Sequence, residues 1–165
     1  MKAALRAAVR WSLGLVAELF PLTTIIVLFL MMATPDPPSC EPLKDIPFLA
    51  SIRELPRAIQ DQLTSNLPDL VDAGRRFQAT DVGEGPRRRF IAAARAGNRW
   101  VAAYEHGGIA YHIHVVAFDY SEADGKPLLI SNRTSQEPRF CNDMIARLRG
   151  ETIPTDRYNV RDWNY

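Results

Sequence analysis

Two glycine-bearing dipeptides, Gly97-Asn98 and Gly107-Gly108, each separate runs rich in strand-forming residues, and together they constrain the fold more than any other feature of the chain. A two-residue connection between antiparallel strands needs positive φ, which glycine supplies without steric cost. Residues 87–96, 99–106 and 109–120 are therefore predicted to be consecutive strands of a meander. A further strand is predicted over 75–82, ahead of the turn Gly83-Glu84-Gly85-Pro86, and another over 128–133.

Helical patterns flank the meander. Leu49, Ile52, Leu55, Ile59 and Leu63 recur at helical spacing, and Ser51 with Glu54 makes a Ser-x-x-Glu capping box. A short helix is predicted over 68–73, between Pro68 and the stop at Gly74. Phe140, Cys141, Met144, Ile145 and Leu148 form the apolar stripe of a last helix over 136–149, with Ser135 as its cap and Gly150 beyond its end. The expected class is α+β: an N-terminal helix, an antiparallel β-meander of about five strands and a C-terminal helix. The tail from Glu151 carries Ile153, Tyr158, Val160, Trp163 and Tyr165 among charges. It is expected to dock on the domain or to bind a partner.

Ahead of this domain, residues 13–33 hold a single charge, Glu18. A helix of about 20 apolar residues spans a bilayer core. Lys2, Arg6 and Arg10 precede the segment, whereas Asp36, Glu41 and Asp45 dominate its other flank. Excess positive charge marks the cytoplasmic side, so the N-terminus is expected in the cytoplasm and the rest in the periplasm or extracellular space. A retained transmembrane anchor is preferred to a cleaved signal, because Ala33 at −1 would put Met31 at −3, where a small residue is needed. The layout is then a basic cytoplasmic stretch at 1–12, an anchor or signal segment at 13–33, a Pro-rich spacer at 34–48 and the extracytoplasmic α+β domain at 49–165. Pro35, Pro37, Pro38, Pro42 and Pro47 favour an extended, semi-rigid spacer. The only cysteines, Cys40 and Cys141, are an isolated pair in an exported chain and are expected to form a disulfide.

Two-residue loops fix strand register, and register sorts side chains onto faces. Pairing Ala96 with Arg99 and His106 with Ile109 gathers Ile91, Trp100, Ala102, Tyr104, Tyr111, Ile113 and Val115 on one apolar face. The other face receives Phe90, Ala92, Ala94, Val101, Ala103, Glu105, His112, His114, Val116 and Phe118. Three alanines around two histidines and a carboxylate leave a shallow recess. His112, His114 and Glu105 are a known type of ligand set for a divalent metal. The blander reading has both histidines hydrogen-bonded beneath a helix or at the rim, the commoner fate of such a pair. His106 is expected to face the other way, exposed at a hairpin tip.

No motif specifies catalysis. His106-Gly107-Gly108 lacks the third glycine of an esterase oxyanion loop, and Gly83-x-Gly85 runs into Pro86 rather than a phosphate-binding helix. The formal net charge of +1 excludes nucleic-acid binding through bulk charge. Arg75, Arg76, Arg87, Arg88, Arg89, Arg95 and Arg99 concentrate basic charge in the first strands. Edge protection is preferred there to contact with anionic lipid or an acidic partner. Asn132-Arg133-Thr134 is a glycosylation sequon, meaningful only in a eukaryotic secretory pathway. The expected function is a non-catalytic, membrane-tethered binding or accessory module of a membrane or envelope complex, held by residues 13–33 and joined to a protein partner. The alternatives are an exported metal-binding protein or metal-dependent enzyme using the histidine face, and a carrier of small apolar ligands in the alanine-lined recess. Apart from such a metal, no cofactor is expected.

Overall fold

A computed structural model describes residues 40, 46–151 and 163. The predicted anchor at 13–33, the residues before it, most of the Pro-rich spacer and most of the tail lie outside the described residues. Among the described residues, no helix is long and apolar enough to cross a membrane.

The fold is α+β. Six strands form one sheet: β1 (Phe48–Leu49), β2 (Leu70–Val71), β3 (Arg88–Ala96), β4 (Arg99–His106), β5 (His112–Asp119) and β6 (Leu128–Ser135). The sheet order is β1-β3-β4-β5-β6, with β2 also on β3. All pairs are antiparallel except β2 with β3, which is parallel. The two-residue strands β1 and β2 cover separate stretches of the outer edge of β3, at Ala93–Ala94 and Arg88–Arg89, which shortens the edge open to another chain.

One helix packs on each face. On the first face, α1 (Arg57–Asn66) brings Ile59 and Leu63 onto Phe90, Ala93, Trp100, Ala102, Tyr104, Val116 and Phe118. On the second, α2 (Phe140–Leu148) brings Phe140, Cys141, Met144 and Leu148 onto Ile91, Ala92, Ala94, Val101, Ala103, Ile113, Val115 and Ala117. The small side chains are thus where α2 approaches the sheet. The recess expected above Ala92, Ala94 and Ala103 is filled by its apolar stripe. Trp163 of the tail packs against the α1-side core, its ring 6.1 Å from that of Phe118. Cys40 and Cys141 are joined by a disulfide across 101 residues, which ties the chain ahead of β1 to α2.

Several expectations are corrected. The capping box starts a 3-10 turn at Ile52–Glu54 rather than the long helix, because Pro56 removes a donor just beyond it. Residues 68–73 are not helical: Leu70 and Val71 form β2, Asp69 accepts from the Arg87 amide at 3.1 Å, and Asp72 accepts from Ser51 Oγ at 2.6 Å and the Ile52 amide at 2.9 Å. Residues 75–82 are irregular, held where Phe77 is buried and the Gln78 amide donates to Pro86 O. The last helix starts at Phe140, since Pro138 disfavours helical backbone at the residue before it. Ser135 does not cap that helix; its hydroxyl donates to Asp143 at 2.5 Å. Asn132 is buried within β6, which removes it as a glycan acceptor.

The first hairpin has the predicted register, Ala96 opposite Arg99 and Ala92 opposite Ala103. Gly97 has φ +59 and, among the described residues, no non-glycine residue has positive φ, the pattern of a II′ turn. The second hairpin does not. His106 pairs with His112, not Ile109, so the connection is residues 107–111 and β5 is displaced by three positions. An odd displacement exchanges every side chain of a strand between the two faces. Gly108 still needs glycine for its φ of +126, whereas Gly107 is required for a different reason. The Gly107 amide donates to Arg87 O and the Gly108 amide to Ala79 O, laying the loop against residues 78–86. A Cβ on Gly107 would sit 1.9 Å from Gln78 O.

Candidate metal centre

The displaced register rebuilds the polar site. His112 lies opposite His106 and His114 opposite Tyr104, all on the α1 face at one end of the sheet. The structure brings His112 and His114 together and adds His106, which the sequence had placed at an exposed tip. It does not bring Glu105 with them. Glu105 stands on the α2 face, opposite Ile113. The signal that would have found His106 is the true loop length, which depends on the 78–86 segment and not on the hairpin itself.

A β-bulge at Ile91 decides the fate of Glu105. Ala92 opposes Ala103, but Phe90 opposes Tyr104, so one residue of β3 is skipped and the lower half of the strand changes face. Arg89 is thereby aimed at Glu105, and its Nε lies 2.5 Å from Glu105 Oε1 with both side chains almost fully buried. Tyr111 Oη donates to Glu105 Oε2 at 2.9 Å, and the Phe77 ring lies 4.3 Å from the Arg89 guanidinium. Burial, and then the bond to Glu105, raise the Tyr111 phenol well above its usual range. Arg88, on the histidine side, is ion-paired with Asp69. The basic run is therefore divided between two faces and does not form one cationic surface.

All three histidines of the chain converge here: His106, His112 and His114 each offer a ring nitrogen, all within 4.8 Å of one another. Their hydrogen bonds fix the nitrogens in use. His112 Nδ1 lies 2.5 Å from Ala110 O, and a backbone carbonyl only accepts, so that nitrogen carries the proton. His114 Nδ1 lies 2.9 Å from Asn132 Oδ1. Asn132 also bonds the Tyr104 side chain, and its Oδ1 can only accept, so His114 Nδ1 carries a proton as well. With each ring in its neutral form, both Nε2 atoms present lone pairs, and they face each other at 2.9 Å. Two neutral imidazoles in this state repel unless something positive sits between them. His106 Nδ1 is buried with no hydrogen-bond partner.

Burial lowers the His106 pKa, aided by the positive charge of Arg88. Burial also drives His114 down to about 4; Asn132 opposes this, while His112, His106 and Arg88 reinforce it. Neutral imidazole is the ligating form, so the setting holds these rings ready to coordinate. Around a tetrahedral ion with Zn–N near 2.0–2.1 Å, ligand nitrogens lie roughly 3.3 Å apart. The His112/His114 pair is within a few tenths of an ångström of that spacing, and His106 must close from at most 4.8 Å. Carbonyl acceptors on the far ring nitrogens are the usual partners of ligating histidines.

No protein-family model, curated protein or solved structure matches this chain.

Proposed function

We propose that this protein is a membrane-tethered, extracytoplasmic domain that binds one divalent transition-metal ion through His106, His112 and His114. The observation that carries the reading is the pair of Nε2 lone pairs facing each other at 2.9 Å, each fixed by a carbonyl acceptor on the opposite ring nitrogen. Three imidazoles suit zinc, copper, nickel or cobalt rather than magnesium or calcium, which take oxygen ligands. Three protein ligands also leave a fourth position for water or another exogenous group. Glu105 has no part in it, being committed to Arg89 and Tyr111.

Tethering rests on the apolar run at 13–33 and its charge asymmetry, which put the N-terminus in the cytoplasm and the domain outside. The Cys40–Cys141 disulfide agrees with an oxidising compartment. A reporter that is active only in the cytoplasm, fused after Tyr165, should be silent; activity would defeat the topology.

For the metal, full-length protein in detergent should be stripped and titrated with cobalt(II). A stoichiometric visible spectrum of tetrahedral type is expected, and it should vanish in His106→Ala, His112→Ala and His114→Ala. The reading fails if the wild type binds no stoichiometric metal, or if the three variants bind as well as it does.

A second reading, an accessory subunit of an envelope complex, draws on Val82 and Ile109, which are 85% and 93% exposed. They sit on adjoining loops, since Asp81 is in contact range of Gly108. Co-purification of a partner from native membranes, lost on Ile109→Asp, would support it.

A further inference from the structure

Tyr111 and His112 are neighbours in the chain but serve opposite faces of the sheet. Tyr111 bonds Glu105 on the α2 side, while His112 joins the histidine cluster on the α1 side. Between them the backbone has little freedom, because successive residues entering a strand point to opposite faces. We propose that Tyr111 is a positioning residue for the metal centre, holding the 107–111 loop so that the Ala110 carbonyl fixes the His112 ring; this rests on the metal-binding reading above.

The loop is anchored at both ends. At its start, the Gly107 and Gly108 amides donate to Arg87 O and Ala79 O. At its end, the Tyr111 hydroxyl reaches a carboxylate that is immobile, since Glu105 is clamped by Arg89, itself stacked on Phe77. Ile109, at the crest, is 93% exposed and supplies no anchor. Ala110, one residue before the Tyr111 anchor, carries the acceptor for His112 Nδ1. Without the phenol oxygen, the second anchor is lost and Ala110 O is free to drift from the ring. His112 could then place its proton on Nε2, the nitrogen needed for the metal. Partners that fix a ligating histidine typically contribute 10- to 100-fold in metal affinity.

The test compares full-length wild type, Tyr111→Phe and Ile109→Ala by zinc(II) competition against a chromophoric chelator, with nitrogen-15 histidine spectra of the metal-free proteins. Tyr111→Phe should bind zinc about 10- to 100-fold more weakly, and its His112 should shift from the Nδ1–H tautomer towards a mixture. Ile109→Ala, in the same loop, should match wild type in both. Wild-type affinity and tautomer in Tyr111→Phe would overturn the proposal and leave the metal reading intact. A wild type that takes up no zinc would overturn both. Should Tyr111→Phe fail to fold, the wild-type spectrum decides: His112 as the Nδ1–H tautomer supports the proposal, and as the Nε2–H tautomer overturns it.

Discussion

Tyr104 lies flat on His114, the ring centroids 4.7 Å apart and the planes within 2° of parallel. Both rings are almost fully buried, and Asn132 bonds both of them. The stack leaves the imidazole only its edge for interaction, and that edge is directed at His112. Tyr104→Phe keeps the ring and loses the hydroxyl bond, so it should cost about 1 kcal/mol and leave metal uptake unchanged. Tyr104→Ala removes the stacking surface and should cost about 3–5 kcal/mol, with weakened metal binding. Urea denaturation and metal titration of the two variants separate the packing role from the polar one.

Stability should fall between pH 6.5 and about 4. His114 is held down to about 4 in the folded protein, against an ordinary value of 6.5. Within that window the unfolded chain binds a proton that the native state refuses, so acid favours unfolding. The stabilisation is complete above pH 6.5 and is lost as pH falls towards about 4, on the order of 3 kcal/mol in all. His106, lowered in the same direction, adds to the slope. Asp69 and Asp72, held below 3.8 by their hydrogen bonds despite burial, act only at lower pH. Denaturation of metal-free protein across this range should show the decline, and His114→Gln should flatten it. An equal slope in the variant would count against the assignment.

The Arg89–Glu105 pair should be costly to break and cheap to replace. Glu105→Ala leaves the Arg89 guanidinium buried without its carboxylate and should destabilise by about 3–5 kcal/mol. Arg89→Met with Glu105→Leu removes both charges and should recover most of that loss. A double-mutant cycle by urea denaturation measures the difference. Two single losses that simply add would show that the pair is not coupled.

The disulfide should be a large part of the domain's stability. A crosslink closing about 100 residues contributes up to roughly 4.7 kcal/mol by restricting the unfolded chain. Denatured, unreduced protein should contain no thiol open to labelling, and Cys40→Ser should lower the melting temperature markedly. Two labelled thiols would show that Cys40 and Cys141 do not pair.

What the sequence determined by itself was local or covalent in origin. The Gly97-Asn98 turn set the β3–β4 register, because a two-residue loop allows no other pairing. The Phe140, Cys141, Met144 and Leu148 stripe predicted the buried face of α2, since helical periodicity depends only on near neighbours. The Cys40–Cys141 bridge followed from there being two cysteines in a chain read as exported. What only the tertiary structure decided was which side chains share a face. The Gly107-Gly108 pair has the composition of a tight turn, yet its amides are taken by Arg87 and Ala79, residues that local pattern cannot place beside it. That contact lengthens the loop and displaces β5 by three positions, while the bulge at Ile91 shifts β3 by one. With a side-chain period of two, each odd displacement reverses the face. Glu105 therefore left the histidines for Arg89, and His106 took its place.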